Sequence, residues 1–351
     1  MSEGGFSRCR GTDGQPEQWW TASLPRCALD PDARSFFAGL TARGLRKNTI
    51  VAYGRAIENL IEFAGPLSTV QFEAGLIYRF IAFLRSAKVQ GGGRGASSLS
   101  VSTIRQRLVG LRAYADQLVD SGRLQRNPVR RGSFGRTTHG HVVALRRGLV
   151  PGARRLPHLP SDDEWVRLVA ALRPRASRDK LMFMLAYDGA LRRGELVTLR
   201  LDDFDFSARQ VTIRPECSKN GYGRTVLYSA ATSRVLANYL TERRRLRAGN
   251  SFVFLSESPR NRSQPVSGFT WGLLAAALAR EARVTGFSAH TLRHLRLTDL
   301  ARAGFDIAEI AKFAGHRSTE STLLYIHLSG RDLARAFQRA APRLTDRFSS
   351  L

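Results

Sequence analysis

Apolar residues recur every three or four positions in four stretches between Asp30 and Ser121, and each stretch predicts an amphipathic helix. The first opens at Asp30-Pro31, an N-cap followed by proline at the first helical position, and halts near Gly44. In the second, Asn48 or Thr49 is the cap, Ile50, Tyr53, Ile57, Leu60 and Ile61 share one face, and Gly65-Pro66 stops the helix. A third covers residues 72–88, ahead of Gly91-Gly92-Gly93. A fourth, over residues 100–121, aligns Ile104, Leu108, Leu111, Ala115 and Leu118. Four such helices within about ninety residues make a small helical bundle. Residues 1–28 carry no period and are expected to form a flexible N-terminal arm, with Trp19-Trp20 as a packing anchor.

The pattern resumes at Ser161-Asp162-Asp163-Glu164, a capping box ahead of Trp165, Leu168 and Val169. Helical signals continue over residues 181–190 and 195–199. The period then switches to two in Val211-Thr212-Ile213 and Thr225-Val226-Leu227-Tyr228, which flank a turn containing Gly221 and Gly223 and predict a hairpin. Further helices are expected over residues 232–247, 267–283, 290–303, 307–313 and 319–327, with a last amphipathic piece at 331–341. The fold class is therefore mainly α with a small antiparallel sheet. The expected divisions are an arm (1–28), a helical domain (29–126), a basic interdomain linker (127–160) and a second domain with a C-terminal helix (161–351).

Composition adds a partner. The chain has 351 residues, 43% of them hydrophobic, which is enough for real cores, and a net charge of +26 with a pI near 11.4. Such a chain seeks polyanions. Between Asp120 and Asp162 there are nine arginines and no acid, while the breakers Asn127-Pro128, Gly132, Gly135, Gly148 and Pro151 argue against a packed core there. Sixteen cations face only Asp116 and Asp120 between Ala74 and Ser161. Arg105, Arg107, Arg130, Arg131, Arg146 and Arg147 are accordingly candidate contacts to double-stranded DNA. The apolar runs are short, Leu273 to Ala279 being about the longest and far short of a membrane span, and the start of the chain lacks a signal-peptide pattern. Three scattered cysteines give neither a disulfide framework nor a zinc site, so a soluble protein of the cytoplasm, associated with the nucleoid, is expected.

The chemistry lies in Ala190-Leu191-Arg192-Arg193-Gly194-Glu195-Leu196, His290-Thr291-Leu292-Arg293-His294, Gly315-His316 and Tyr325. In this order and at these separations, residues 161–341 resemble the catalytic domain of the tyrosine recombinase/integrase family, and the helical segment before them resembles the family's core-binding domain. The resemblance implies a two-domain DNA clamp. It makes Arg192 the first family arginine with Glu195 its supporting acid, His290 and Arg293 the H-x-x-R pair, His316 the Gly-His histidine and Tyr325 the nucleophile. Lys219, one of only five lysines, falls in the hairpin turn where the family places a lysine, and Arg224 competes for that role. Two motifs depart from the family pattern: Gly189-Ala190 precedes Leu-Arg, and Ala314 precedes Gly-His.

Splitting a phosphodiester without metal needs a nucleophile, an acceptor for its proton, a donor for the departing oxygen, and cations around the transition state. Arg192 and Arg293 can clamp the non-bridging oxygens, Lys219 can protonate the 5′ oxygen, and His316 can donate to the phosphate. A tyrosine of ordinary pKa is about 0.1% phenolate at neutral pH, so Tyr325 needs the arginines to lower its pKa or His290 to take its proton. The 3′-phosphotyrosine product stores the bond energy, so no cofactor is expected, and the chain has no Gly-Lys dipeptide and hence no Walker A loop. His290 and His294 have the spacing of a zinc pair, yet Arg293 between them repels a cation. Asp202, Asp203 and Asp205 read as surface caps rather than a metal site. The resemblance implies site-specific recombination for a mobile element by a tetramer on two DNA sites. A type IB topoisomerase-like enzyme and a non-catalytic DNA-binding protein remain open, as does an accessory DNA-bending protein.

Overall fold

The computed structural model describes residues 19–66, 72–86, 99–131, 133–136, 142–146, 148–151, 156–218, 221–246, 249–330 and 337–338; for 133–136 and 142–146 it describes the backbone alone. The chain divides into two compact units, Met1–Arg154 and Arg155–Leu351.

The first unit holds a 3-10 turn (Thr21–Ser23), the helices α1 (Pro25–Leu29), α2 (Pro31–Ala42), α3 (Lys47–Ala64), α4 (Ala74–Ser86) and α5 (Val101–Asp120), and the strands β1 (Ser133–Arg136) and β2 (Val142–Arg146). The expected cap of α2 forms, Asp30 accepting from Ala33 N at 2.8 Å, and Ser100 Oγ caps α5 by accepting from Thr103 N at 3.2 Å. The expected cap of α3 at Asn48 or Thr49 does not form, because the helix already begins at Lys47 with Arg46 as its N-cap. The apolar faces of α2 to α5 then close on one core that includes Phe37, Ile57, Phe80 and Leu111.

Two expectations are corrected here. Residues 19–28 are not an arm, because Trp20, Leu24 and Cys27 are buried in the same core. Trp20 lies 4.4 Å from the Phe37 ring, and Leu24 reaches over Gly54, where a Cβ would come within 2.1 Å of Leu24 Cδ1. Glu58 on α3 caps α1 from across the bundle, accepting Arg26 N and Cys27 N at 2.9 Å each. Residues 1–18 lie outside the described residues. The basic stretch is likewise not a plain linker. Pro128 and Val129 are buried, Asn127 donates to Asp116 and to the Arg112 carbonyl, and Arg112 binds the carbonyls of Val129 and Arg130 at 3.0 and 2.9 Å, so residues 127–130 pack onto α5. β1 and β2 then pair antiparallel, with Phe134 opposite Ala144, inside the interval read as a basic linker.

The second unit holds α6 (Asp162–Leu172), α7 (Ser177–Asp188), α8 (Arg193–Val197), β3 (Phe204–Asp205), β4 (Gln210–Ile213), β5 (Arg224–Leu227), α9 (Ala230–Arg245), α10 (Gly268–Glu281), α11 (Ala289–Arg302), α12 (Ile307–Ala314) and α13 (Glu320–Ser329). The Ser161–Glu164 capping box forms at the start of α6. β3, β4 and β5 make one antiparallel sheet in that order, with Val211 opposite Val226 and Ile213 opposite Arg224. Its inner face and the buried residues of α7, α10 and α11 share a core that includes Phe183, Trp271 and Leu292. Asp203 and Asp205 act as caps: Asp203 accepts from Arg200 N and Arg214, and Asp205 from Ala208 N. Of the expected C-terminal helix, residues 331–336 and 339–341 lie outside the described residues. Among the described residues no helix is long and apolar enough to cross a membrane.

Leu24→Ala should destabilise the first unit by about 2–5 kcal/mol, the cost of emptying a fully buried leucine site. Urea unfolding followed by tryptophan fluorescence checks this; a change below about 0.5 kcal/mol is what a solvated arm would give.

Candidate active site

Arg192 precedes α8 as its N-cap, and Glu195 at the third helical position folds back to accept Arg192 N at 2.8 Å. The same carboxylate takes Arg192 Nη1 at 2.8 Å and both terminal nitrogens of Arg224 at 2.9 and 2.8 Å. The Arg224 pair is a fork on a fork, nearly sealed from water, with side-chain exposures of 6% and 1%. Burial alone would raise the Glu195 pKa, but the bonds and charges of Arg224, then of Arg192, hold it down to about 2. Arg224 Nε is also spent, on the Phe313 carbonyl at 2.8 Å. Arg224 is thus a structural partner of Glu195. Lys219, its rival for the turn position, lies outside the described residues.

Arg293 comes from α11 and is 4% exposed. It donates to the carbonyls of Ala190 at 2.5 Å and Ala314 at 2.7 Å, and to His316 Nε2 at 3.0 Å. An arginine can only donate, so Nε2 is the acceptor; the His316 proton sits on Nδ1 and is given to Thr322 Oγ1 at 2.9 Å. Burial, then Arg192 and Arg224, lower the Arg293 pKa to about 9, which leaves it a cation at neutral pH. Burial, then Arg293 and the other arginines, push His316 down to about 4. Gly315 makes this approach feasible. It ends α12 with φ +63°, it gives its carbonyl to Arg192 at 3.2 Å, and a Cβ there would come within 3.1 Å of Arg224.

Tyr325, on α13, is 3% exposed and packs its ring among Leu297, Leu300, Ile310 and Ala314. Its hydroxyl lies 3.1 Å from His294 Nδ1, and its ring stacks on His316 at 6.1 Å. The structure therefore gathers Arg192, Glu195, Arg293, His316 and Tyr325 into one site. The imidazole on the tyrosine hydroxyl is His294, however, and not His290. His290 stands one turn earlier on α11, solvent-exposed, its ring 6.3 Å from that of His294. Partial desolvation, then Arg293, Arg193 and Arg192, lower its pKa. The sequence marked His294 only as the second half of an i, i+4 pair. Among the described residues no group of His, Cys, Asp or Glu is arranged to hold a metal ion.

Of the candidate DNA contacts, Arg105 and Arg130 are exposed, and Arg131 is exposed while pairing with Asp116 at 2.9 Å. Arg107 is a correction: it is half-buried and bonds the Ala52 carbonyl on α3 at 3.4 Å, because it shares the apolar stripe of α5 with Ile104 and Leu111. The side chain of Arg146 and the whole of Arg147 lie outside the described residues.

Because the folded-state pKa of Glu195 lies below its ordinary value of 4.5, its contribution is present above pH 4.5 and is lost as pH falls toward about 2. Glu195→Gln should therefore lose about 3 kcal/mol at pH 7, and the gap to wild type should close over that acid window. Urea unfolding of both proteins by circular dichroism at stepped pH reads the difference.

Residues 161–331 match the model of the phage integrase family. Transposase A from transposon Tn554 of Staphylococcus aureus is 26% identical over 332 residues, covering 88% of this chain and 90% of the relative. Tyrosine recombinase XerC of Roseiflexus castenholzii is 27% identical over 307 residues, covering 87% and 90%. The fold is that of XerH site-specific recombinase bound to palindromic difH substrate in a post-cleavage complex, with TM-score 0.62, 15% identity, and 90% and 94% of the two chains covered. It is equally that of the Tn1549 transposon integrase in complex with a circular intermediate DNA, with TM-score 0.61, 17% identity, and 86% and 94% covered. Residues 161–331 are thus a domain of the phage integrase family, and along most of its length the chain is similar to tyrosine recombinases, enzymes that cut and rejoin DNA.

Proposed function

We propose that the protein is the site-specific recombinase of a mobile element and that Tyr325 is its nucleophile. The observation that carries this reading is the meeting of a tyrosine hydroxyl, two neutral imidazoles, the buried guanidinium of Arg293 and the half-buried one of Arg192, from segments over 130 positions apart. A DNA phosphate docks on Arg192 and Arg293, whose N–H groups prefer an anionic oxygen to a carbonyl. Its charge raises the proton affinity of His316, which then donates to a non-bridging oxygen, and the exposed His290 contacts the same phosphate. Lys219 is the general acid for the 5′ oxygen. Because Tyr325 is 3% exposed, the site has to open on DNA, with the contact to His294 kept, for the hydroxyl to line up with phosphorus, which ties cleavage to DNA engagement.

The transposase and integrase likenesses support a mobile-element role. Exchange cuts four strands in two pairs, so the working species is a tetramer on two double-stranded DNA sites, acting in the cytoplasm. Arg105, Arg130 and Arg131, with Arg146 and Arg147, grip the DNA backbone.

Two measurements test this. A nicked suicide duplex should trap a covalent adduct with wild type and none with Tyr325→Phe; an adduct that survives in Tyr325→Phe removes the nucleophile assignment, and relaxation of supercoils without recombinant product removes the recombinase reading. Replacing Arg130, Arg131, Arg146 and Arg147 with Gln should flatten the plot of log K against log salt by about one unit per lost phosphate contact. An unchanged slope means that this stretch does not touch DNA.

A further inference from the structure

Two imidazoles, those of His294 and His316, meet Tyr325, a third, that of His290, stands behind His294, and their bonding separates their roles. Both nitrogens of His316 are occupied, Nε2 by Arg293 and Nδ1 by Thr322, so its contact with the tyrosine is ring stacking. His290 lies a helical turn away, on the exposed end of the row. His294 alone among the three puts a nitrogen on the hydroxyl, with Nδ1 3.1 Å from Oη and the two rings 5.8 Å apart. With its proton on Nε2, this ring presents a lone pair to the O–H.

We propose that His294 is the catalytic residue that takes the proton of Tyr325 during cleavage and returns it during rejoining. The inference rests on Tyr325 being the nucleophile. In cleavage the Oη–H bond breaks toward His294 Nδ1, Oη forms the bond to phosphorus, and the P–O5′ bond breaks, with the 5′ oxygen protonated by the general acid, Lys219. In rejoining the 5′ hydroxyl attacks, its proton passes to the lysine, and imidazolium His294 reprotonates the departing tyrosine oxygen. Each turn restores both side chains.

The surroundings suit a base that is armed by substrate. His290 and Arg293 face His294 from its own helix, Tyr325 from α13, and His316 from the turn after α12. Burial, then His290 and Arg293, lower the His294 pKa to about 4, so without DNA the ring is neutral and ready to accept. A phosphate on Arg293 offsets the cationic part of that depression and strengthens the base at the moment its proton affinity is needed.

The test is single-turnover cleavage of the nicked suicide duplex by wild type, His294→Ala, His294→Asn and His290→Asn, with binding to an intact duplex measured alongside to confirm folding. Asn keeps a hydrogen-bonding atom near the position of Nδ1 but does not act as a base, so it would rescue a role limited to holding Tyr325. Both His294 variants should bind DNA as wild type does and form adduct about a hundredfold or more slowly. Their rates should climb about tenfold per pH unit, as hydroxide takes over the proton, through the range where wild type is flat. Cleavage by His294→Asn within about threefold of wild type, or a pH profile parallel to it, overturns the proposal. So does finding the changed profile in His290→Asn instead. In each of those cases Tyr325→Phe still fails to form adduct and the nucleophile assignment stands, whereas no adduct with wild type overturns both.

Discussion

The second unit is organised around one buried carboxylate. Glu195 is the only acid bonded to the site's guanidiniums among the described residues, and it holds two of them, Arg192 and Arg224, while Arg293 lies within their field. Three cations against one anion leave two positive charges uncompensated in a low-dielectric setting, where each is expensive. A phosphodiester brings one negative charge and its pentacoordinate transition state brings about two, so the match improves as the reaction proceeds. The same excess explains the histidines. His290, His294 and His316 all have lowered pKa values, because burial and the arginines disfavour further positive charge, and the site therefore meets DNA with its imidazoles neutral.

Holding the cations requires carbonyls, and aiming carbonyls requires unusual backbone. Ala190, Phe313, Ala314 and Gly315 all give their oxygens to Arg293, Arg224 or Arg192, and two of these residues are in the left-handed region, Gly315 at φ +63° and Ala190 at φ +46°. The family's usual glycine at the Ala190 position now has a physical reason. Alanine pays about 1–2 kcal/mol in that conformation. It regains roughly 0.8 from a fully buried methyl and about 0.5–1 from a less flexible unfolded chain, so the substitution comes out near neutral.

What was legible in the sequence is what is local. The caps at Asp30 and Ser161 span three residues, and both form as read, whereas the cap read at Asn48 or Thr49 is displaced by a helix that starts at Lys47. The cap of α1 could not be read this way, because its acceptor, Glu58, is 31 positions from Cys27, and five helical residues carry too little period to register. The motifs identified which residues would converge, through resemblance rather than periodicity. They did not identify which imidazole meets the tyrosine: His290 and His294 occupy the same face of α11, and only the packing of α13 decides between them. Arg107 was legible in principle, since it falls three residues after Ile104 and four before Leu111, inside the apolar stripe.

Arginine's abundance also has a second cause besides DNA. Arg112, Arg214, Arg243 and Arg293 each bind backbone carbonyls of the protein itself, the last two from buried positions, Arg243 binding those of Asn250 and Phe252 while only 8% exposed. A planar fork with five donors can satisfy several buried acceptors at fixed angles, where an ammonium on a flexible stem loses more hydration and directs its bonds less well. Arg112 in this way holds the segment after Asn127-Pro128 onto α5. Part of the +26 charge is therefore internal scaffolding, and fewer cations are left for the surface than composition alone implies.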